Sequence, residues 1–301
     1  MTDQIKAELQ NICAQVLFDE PMAKHTSFKI GGPADVWINA HSSQEVVDVL
    51  RWGRENGIPV TVMGNGSNML VGDGGIRGIV LTVGAAMTGI EVRGNCLYAQ
   101  AGALLSSVSK AAAEHSLGGL EFAGGIPGTV GGGIFMNAGA YGGELKDVLK
   151  EVTFLTPERE QKTLPASELD LSYRHSMFSA GGYIILDCVM ELVPADQDEI
   201  LKRMADFRQR RAEKQPLNLP SAGSTFKRPE GYFAGKLIQD AGLQGFRVGG
   251  AQVSEKHAGF VVNTGGATAQ DVMALIEHVQ RTVLEKFGVM LEPEVRMIGE
   301  R

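Results

Sequence analysis

IPVTVM at residues 58–63 runs without a break into GNGSN at 64–68, and further on the chain reads GGIPGTVGG at 124–132. The first run reads as a buried strand, mostly apolar and β-branched, closed by glycine. Which glycine-rich loop follows it decides the fold. A Walker loop needs GxxxxGK[ST], with a lysine for the phosphates, and the chain has none. A dinucleotide fingerprint, GxGxxG, must leave a strand and open a helix. GNGSNM has Met69 in the third glycine position, and LVGDGG after it is no helix start. What remains is a pair of loops rich in unhindered amide N–H groups. No Lys or Arg occurs between Lys110 and Lys146, so a pyrophosphate held there would rely on backbone amides and on Ser67, Asn68 and Thr129. The alternative is that these glycines only make turns in a β-rich domain, since a permissive backbone serves either purpose.

The whole chain sets the frame for that choice. At 301 residues it is about two domains long, at roughly 150 residues each. Hydrophobic residues make up 44% and charged residues 21%, a globular balance that excludes intrinsic disorder. No stretch approaches the ~20 apolar residues of a membrane span. The N-terminus carries Ile5, Leu9, Ile12 and Val16 at helical spacing instead of a signal peptide, so a cytoplasmic location and no membrane partner are expected. A net charge of −7 argues against general nucleic-acid binding. Cys13, Cys96 and Cys188 lie far apart, which indicates neither a disulfide frame nor a metal site and suggests buried free thiols. Glycine is the unusual count, 39 residues, with 11 of them in the 26 residues of 118–143. Close approach of backbone to a ligand is the leading explanation for that clustering.

Along the chain, Ser42 opens a helix with Glu45 completing a capping box and Gly57 as its stop. Short strands are expected at 79–83, 90–92, 97–101, 152–156 and 183–192, with a helix over 103–115. PADQDE at 194–199 starts an acidic-to-basic helix that ends at Pro216. Beyond it come a helix near 232–241, a strand near 259–263, a helix from Thr268 and a final strand near 289–298. The domain boundary is expected near 195.

The ordered set of strings is specific. GNGSN after a strand, GGIPGTVGG and NAGAYGGE (137–144) together resemble the FAD-binding domain of the vanillyl-alcohol-oxidase (PCMH) type. Tyr173-Arg174-His175-Ser176, AGSTFKRP (222–229), FAGKLIQDAGL (233–243), HAGFVVN (257–263) and LEPEVR (291–296) extend the resemblance, more narrowly, to the UDP-N-acetylenolpyruvoylglucosamine reductase family. The resemblance implies an α+β flavoprotein. Residues 1–195 would form an FAD-binding domain of two α/β lobes, about 1–85 and 86–195. Residues 196–301 would form an α+β substrate-binding domain whose last strand returns to the flavin. It further implies that Gly64, Asn65, Gly66, Ser67, Asn68, Gly124, Gly125, Ile126, Pro127, Gly128, Thr129, Gly131, Gly132, Asn137, Gly139 and Tyr141 bind FAD. Neither glycine loop contains His or Cys, so the FAD is expected to be non-covalent.

The family's reaction is a two-electron reduction of an enol ether bearing a carboxylate. NADPH, the co-substrate, reduces FAD, and flavin N5 then gives hydride to C3 of the UDP-sugar enolpyruvyl ether, leaving enolate character at C2. The flavin supplies the redox chemistry and the protein positions, stabilises charge and protonates. Enolate charge calls for donors aimed at it. By resemblance Arg174 meets this, as a permanently charged fork for a carboxylate. Glu294 can help only if it keeps its proton, which burial favours. Ser224 is implied as the donor to C2, where a strongly basic carbon accepts a proton even from a weak acid. Residues 221–257 carry a local charge of +2 in an acidic chain, a reasonable seat for an anion. The family pattern places the substrate diphosphate at Arg210 and Lys214, with Arg228 and Arg296 as further contacts. For the 208–214 run the alternative is a solvated helix end that favours cations. His257 is read as structural.

One departure matters. Longer family members carry an inserted loop after the Tyr-Arg-x-Ser motif, bearing a tyrosine that closes over the sugar nucleotide. Here only Met177 to Gly182 separate Ser176 from Tyr183, so that tyrosine has no counterpart. Two other functions fit parts of the pattern. An FAD-dependent oxidase of the same fold would pass electrons to oxygen. A non-catalytic nucleotide-binding module would explain the glycines but not Arg174, Ser224 and Glu294 in one family's order.

Overall fold

The computed structural model of the chain describes residues 2–83 and 87–301. The expected division between lobes at 85 and 86 falls outside the described residues. By contacts the chain forms two compact units, each assembled from three separate segments. The first takes Met1–Val16, Ile38–Asn65 and Leu81–Arg211, and the second takes Leu17–Trp37, Gly66–Val80 and Ala212–Arg301. The boundary expected at 195 and the passage at 211–212 lie near opposite ends of one helix, Gln197–Lys214.

The first unit is built around a five-stranded antiparallel sheet, in the order Gln161–Pro165, Leu149–Leu155, Ile184–Glu191, Cys96–Gln100, Ile90–Arg93. Its buried side, with Leu97, Val152, Phe154, Cys188 and Met190, packs on Leu105, Val108 and Ala112 of the helix Leu105–Glu114. The helix Gln197–Lys214 lays Ile200, Met204, Phe207 and Arg211, a three-four spacing, along one line of its surface. Further strands are Val16–Pro21, Pro33–Asn39, Val60–Met63 and Ile76–Thr82. Val16, expected on the N-terminal helix, instead opens a strand. The helix stops at Ile12, with Cys13 extended as its C-cap. Ser42 caps the helix Ser43–Glu55 as expected, but the Glu45 carboxylate turns back to the His41 amide, 2.8 Å, and not to that of Ser42.

In the second unit an antiparallel sheet, Ser221–Ser224, Phe260–Asn263, Ala251–Val253, Arg247–Val248, is covered by the helices Ala234–Asp240 and Ala269–Phe287. The final strand is short, Arg296–Ile298, because Pro293 cannot donate to a ladder. It pairs in parallel with Met69–Val71. The glycines between them pack on the chain itself. A Cβ on Gly72 would sit on the Glu300 carbonyl, and one on Gly75, at φ +84°, on the Pro33 carbonyl. Part of the glycine excess therefore serves backbone-on-backbone packing and no ligand.

The helix Ala269–Phe287 illustrates how its start is fixed. Thr268 Oγ1 accepts from the Asp271 amide, 3.0 Å, and the Asp271 carboxylate accepts from the amides of Thr268 and Gly250. Asp73 accepts from the amides of Ala269 and Gln270, so two carboxylates cover the positive end of the helix. The backbone N–H bonds from Thr268 and then Gly250 hold the Asp271 carboxyl below the ordinary aspartate range. With its folded pKa depressed, its stabilisation is complete above the unfolded value of about 3.9 and fades as pH falls through the lower folded one. Asp271→Ala should cost about 1 kcal/mol at pH 7, the usual scale for a lost cap. The difference from the parent in urea unfolding should shrink below pH 3. An equal loss at both pH values would contradict the assignment.

Cys13 and Cys188 are buried thiols as expected, whereas Cys96 is half-buried at a strand start. Burial pushes the Cys13 thiol up to about 12 and the Cys188 thiol higher than its ordinary value.

Candidate active site

In the first unit the strand Val60–Met63 delivers Gly64 against Thr129, where any Cβ would meet the Thr129 hydroxyl. The two glycine loops thus touch. Thr129 caps the short helix Val130–Phe135, accepting from the Gly132 amide at 3.3 Å. The loop is pinned from behind, because the Val130 and Gly131 amides donate to the Ala103 and Ala101 carbonyls and the Gly128 carbonyl accepts from Leu105. Gly124 and Gly125 end the turn Glu121–Gly125, whose buried Glu121 is paired with Arg203 at 2.8 Å. Arg211 lies over Gly125 and Met204 over Gly124. Ile126 and Pro127 stand between them and Gly128, Pro127 exposed.

The donor chemistry suits a dinucleotide. Among the described residues the amides of Asn65, Gly66, Ser67 and Asn68 donate to no protein acceptor. The hydroxyl of Ser67 and the side-chain amide of Asn65 are likewise unengaged. Such unengaged amides are the equipment for a pyrophosphate. The residues present fit FAD.

Arg174 sits in the turn Ser172–His175, closed by mutual backbone bonds of 3.2 and 3.1 Å. Its φ of +54° is a conformation uncommon for residues other than glycine. Its Nη2 donates to the Gly139 carbonyl at 3.3 Å, and the guanidinium lies 5.0 Å from the Tyr173 ring centre. Beneath it Asn137 is fully buried. Asn137 Nδ2 donates to the Ser172 carbonyl and to Glu144, and Oδ1 accepts from the Lys146 amide. That side chain was expected at the cofactor, yet its bonds tie the Tyr-Arg-x-Ser turn to the 137–146 loop. Ser176 adds a bond of 2.7 Å to the Phe135 carbonyl. Tyr141, 40% exposed, stacks on Phe207 with ring centres 4.5 Å apart. Arg210 forms an ion pair with Asp206 at 2.8 Å along its own helix, the pattern of a solvated face.

The second unit brings four expected residues close in the backbone. A bulge between Ser221 and Ser224, with Gly223 at φ +77°, sets Ser224 opposite Phe260. The next residue, Thr225, accepts from the Glu294 amide at 2.8 Å, so Glu294 lies beside the strand end that carries Ser224. Asn68 Nδ2 donates to the Glu294 carbonyl at 3.2 Å, and the Asn68 carbonyl accepts from the Arg296 amide at 3.0 Å. The first glycine loop and Glu294 are therefore joined directly. Arg228 lies 4.0 Å over the exposed Phe233 ring and donates to the Tyr232 carbonyl. His257 accepts from the Gly259 amide and packs edge-on against Phe260, as a structural histidine does. Burial, and then the charge of Lys214, lower its pKa.

Sequence reading missed Phe207 and Arg211 as partners of the glycine loops, although the spacing 200, 204, 207, 211 could have given them. Asn137 carried no signal of its bonds.

Residues 34–164 match the FAD binding domain family. The chain is an α+β flavoprotein, an FAD-dependent oxidoreductase with an FAD-binding domain. Residues 215–298 match the C-terminal domain of UDP-N-acetylenolpyruvoylglucosamine reductase. Enzymes of that name from Agathobacter rectalis and Exiguobacterium sibiricum are 58% and 53% identical, over 95% and 100% of this chain and 94% and 99% of theirs. The crystal structure of UDP-N-acetylenolpyruvylglucosamine reductase from Thermus caldophilus superposes with a TM-score of 0.79 at 34% identity. That likeness covers 94% of this chain and 98% of the other. The chain belongs to the UDP-N-acetylenolpyruvoylglucosamine reductase family.

Proposed function

We propose that this chain reduces UDP-N-acetylglucosamine enolpyruvate to UDP-N-acetylmuramate with NADPH, a step of peptidoglycan precursor synthesis, through the residues described above. FAD, when bound, takes two electrons from NADPH and supplies hydride to C3 of the enolpyruvyl group. The amides of 64–68 and the 124–132 loop hold its pyrophosphate without a covalent tether, and Tyr141 and Gly139 border it. Arg174 binds the substrate carboxylate and draws charge from C2 as the enolate develops. Glu294, with its proton retained, donates a hydrogen bond to the same charge, since an ionised carboxylate there would repel it. Ser224 gives its proton to C2. Lys214 and Arg228 serve the substrate diphosphate, with Arg296, and with Arg210 once released from Asp206. Residues 1–195 act as the FAD-binding domain and 196–301 as the substrate domain, in the cytoplasm.

The observation that carries this reading is the joining of Asn68 to Glu294 beside the strand end of Ser224, which sets a cofactor loop next to two groups of the proton chemistry. The test is anaerobic and spectral. Purified protein should be yellow, or become so with added FAD, and NADPH alone should bleach it. The enolpyruvyl sugar nucleotide should then restore the oxidised spectrum faster than air does. Protein that takes up no FAD, or reduced protein that oxygen reoxidises faster than the substrate, would count against it.

A further inference from the structure

A second basic site lies in the first unit, apart from every residue assigned above. The last turns of the helix Ser43–Glu55 face the hairpin turn at 156–160, which joins the strands Leu149–Leu155 and Gln161–Pro165. Between them is an open cleft of about 250 Å³ with Leu50 and Leu155 among its walls. Three arginines line it, Arg51, Arg54 and Arg159, against a single carboxylate, Glu158.

The helix end explains only part of this. The negative C-terminal half-charge favours Arg51 and Arg54, and Arg51 also has Asp48 at 3.5 Å. Arg54 has no ion pair among the described residues. Arg159 is the residue that needs an account. It occupies a φ of +71° in a hairpin turn where glycine or asparagine is the usual occupant. One nitrogen, Nη1, donates to the Gly182 carbonyl at 3.0 Å. Its Nε is buried with no acceptor at all. Buried donors in native proteins are nearly always satisfied, and an orphan one asks for a missing partner. Glu158 does not supply it, because its carboxylate is engaged with its own amide and the Thr156 hydroxyl. Burial and then the like charge of Arg54 lower the Arg159 pKa, the electrostatic sign of cations gathered without their counter-charge.

We propose that this cleft binds a small phosphate-type oxyanion, which neutralises the guanidinium groups of Arg51, Arg54 and Arg159 that line it. The fork geometry of guanidinium groups matches such an anion.

Equilibrium dialysis of radiolabelled orthophosphate against the FAD-loaded protein tests it, with ionic strength held by potassium chloride. The parent should bind phosphate saturably. Arg54→Gln and Arg159→Gln should each weaken that binding at least tenfold while leaving flavin reduction by NADPH unchanged. Should Arg159→Gln fail to fold, Arg54→Gln decides alone, since that exposed side chain has no structural bond to lose. Competition by UMP separates the sources. Displacement of phosphate with the tenfold sensitivity to Arg54 marks a phosphomonoester as ligand, and no displacement marks the free ion. Binding unaffected by either substitution, or absent in the parent, overturns the proposal.

Discussion

Ser224→Ala should leave the reduction of bound flavin by NADPH within about twofold of the parent, and slow its reoxidation by the enolpyruvyl substrate by about 10²–10⁴, the range for a lost general acid. The two half-reactions share the flavin but not the proton. Hydride transfer from NADPH needs no proton at C2, so a hydroxyl devoted to C2 is silent in that step. The fold gives the substitution little else to disturb. Ser224 is half-buried at the end of its strand, and among the described residues its hydroxyl donates to no protein acceptor. Its register opposite Phe260 rests on backbone, which alanine keeps. Stopped-flow absorbance on each half-reaction reads the split directly. Loss of both together in a folded variant would remove Ser224 from the proton role.

That prediction draws on residues whose types were legible and whose neighbourhood was not. Local signals were strong where the chain answers to itself. Ser42 and Thr268 stand as helix caps because a side-chain oxygen satisfies an amide three residues on, a relation contained in four consecutive residues. For the glycine loops, excluding a Walker loop and a GxGxxG fingerprint left ligand loop or plain turn open, and the assignment to FAD came from the resemblance of the ordered strings. Long-range relations left no such trace. The parallel pairing of Met69–Val71 with Arg296–Ile298 joins segments far apart in the sequence, and three-residue strands have no measurable period. The final strand was expected over 289–298 from its apolar residues, although Pro293 forbids a continuous ladder there. The glycines of 72–75 gave no sign of their packing, because bare backbone looks the same in sequence whether it meets a phosphate or a carbonyl. Arg210 shows the opposite difficulty. Its place in a family pattern suggested an anion contact, while the structure displays an ion pair with Asp206, one helical turn back.

Asn137 offers the sharpest test of how the Arg174 turn is held, because its isosteric replacement should be the worst. The side chain is fully buried and every polar atom is used, with Nδ2 given to Glu144 at 3.1 Å and the Ser172 carbonyl at 3.0 Å, and Oδ1 taking the Lys146 amide at 2.9 Å. Asparagine also tolerates the residue's φ of +40° better than most. Asn137→Gly keeps that conformation and loses the bonds, which should cost about 2–4 kcal/mol for orphaned buried partners. Asn137→Asp keeps shape and volume but turns a donor into an acceptor facing the Glu144 carboxylate and the Ser172 carbonyl. Like charge and two lost donations then act together, so its destabilisation should exceed that of the glycine variant at pH 8. The introduced carboxyl, repelled and without donors on one side, would have a folded pKa above its unfolded value. Its penalty should therefore ease as pH falls toward 5 and grow as pH rises through that folded value. Both variants should lose substrate turnover more than flavin reduction by NADPH, since the Ser172 carbonyl they release anchors the turn that aims Arg174. Urea unfolding at pH 5 and pH 8 checks the order. An aspartate variant as stable as the parent at pH 8 would mean that Nδ2 does not hold this turn, and that Arg174 owes its placement to the backbone bonds of Ser172 and His175 alone.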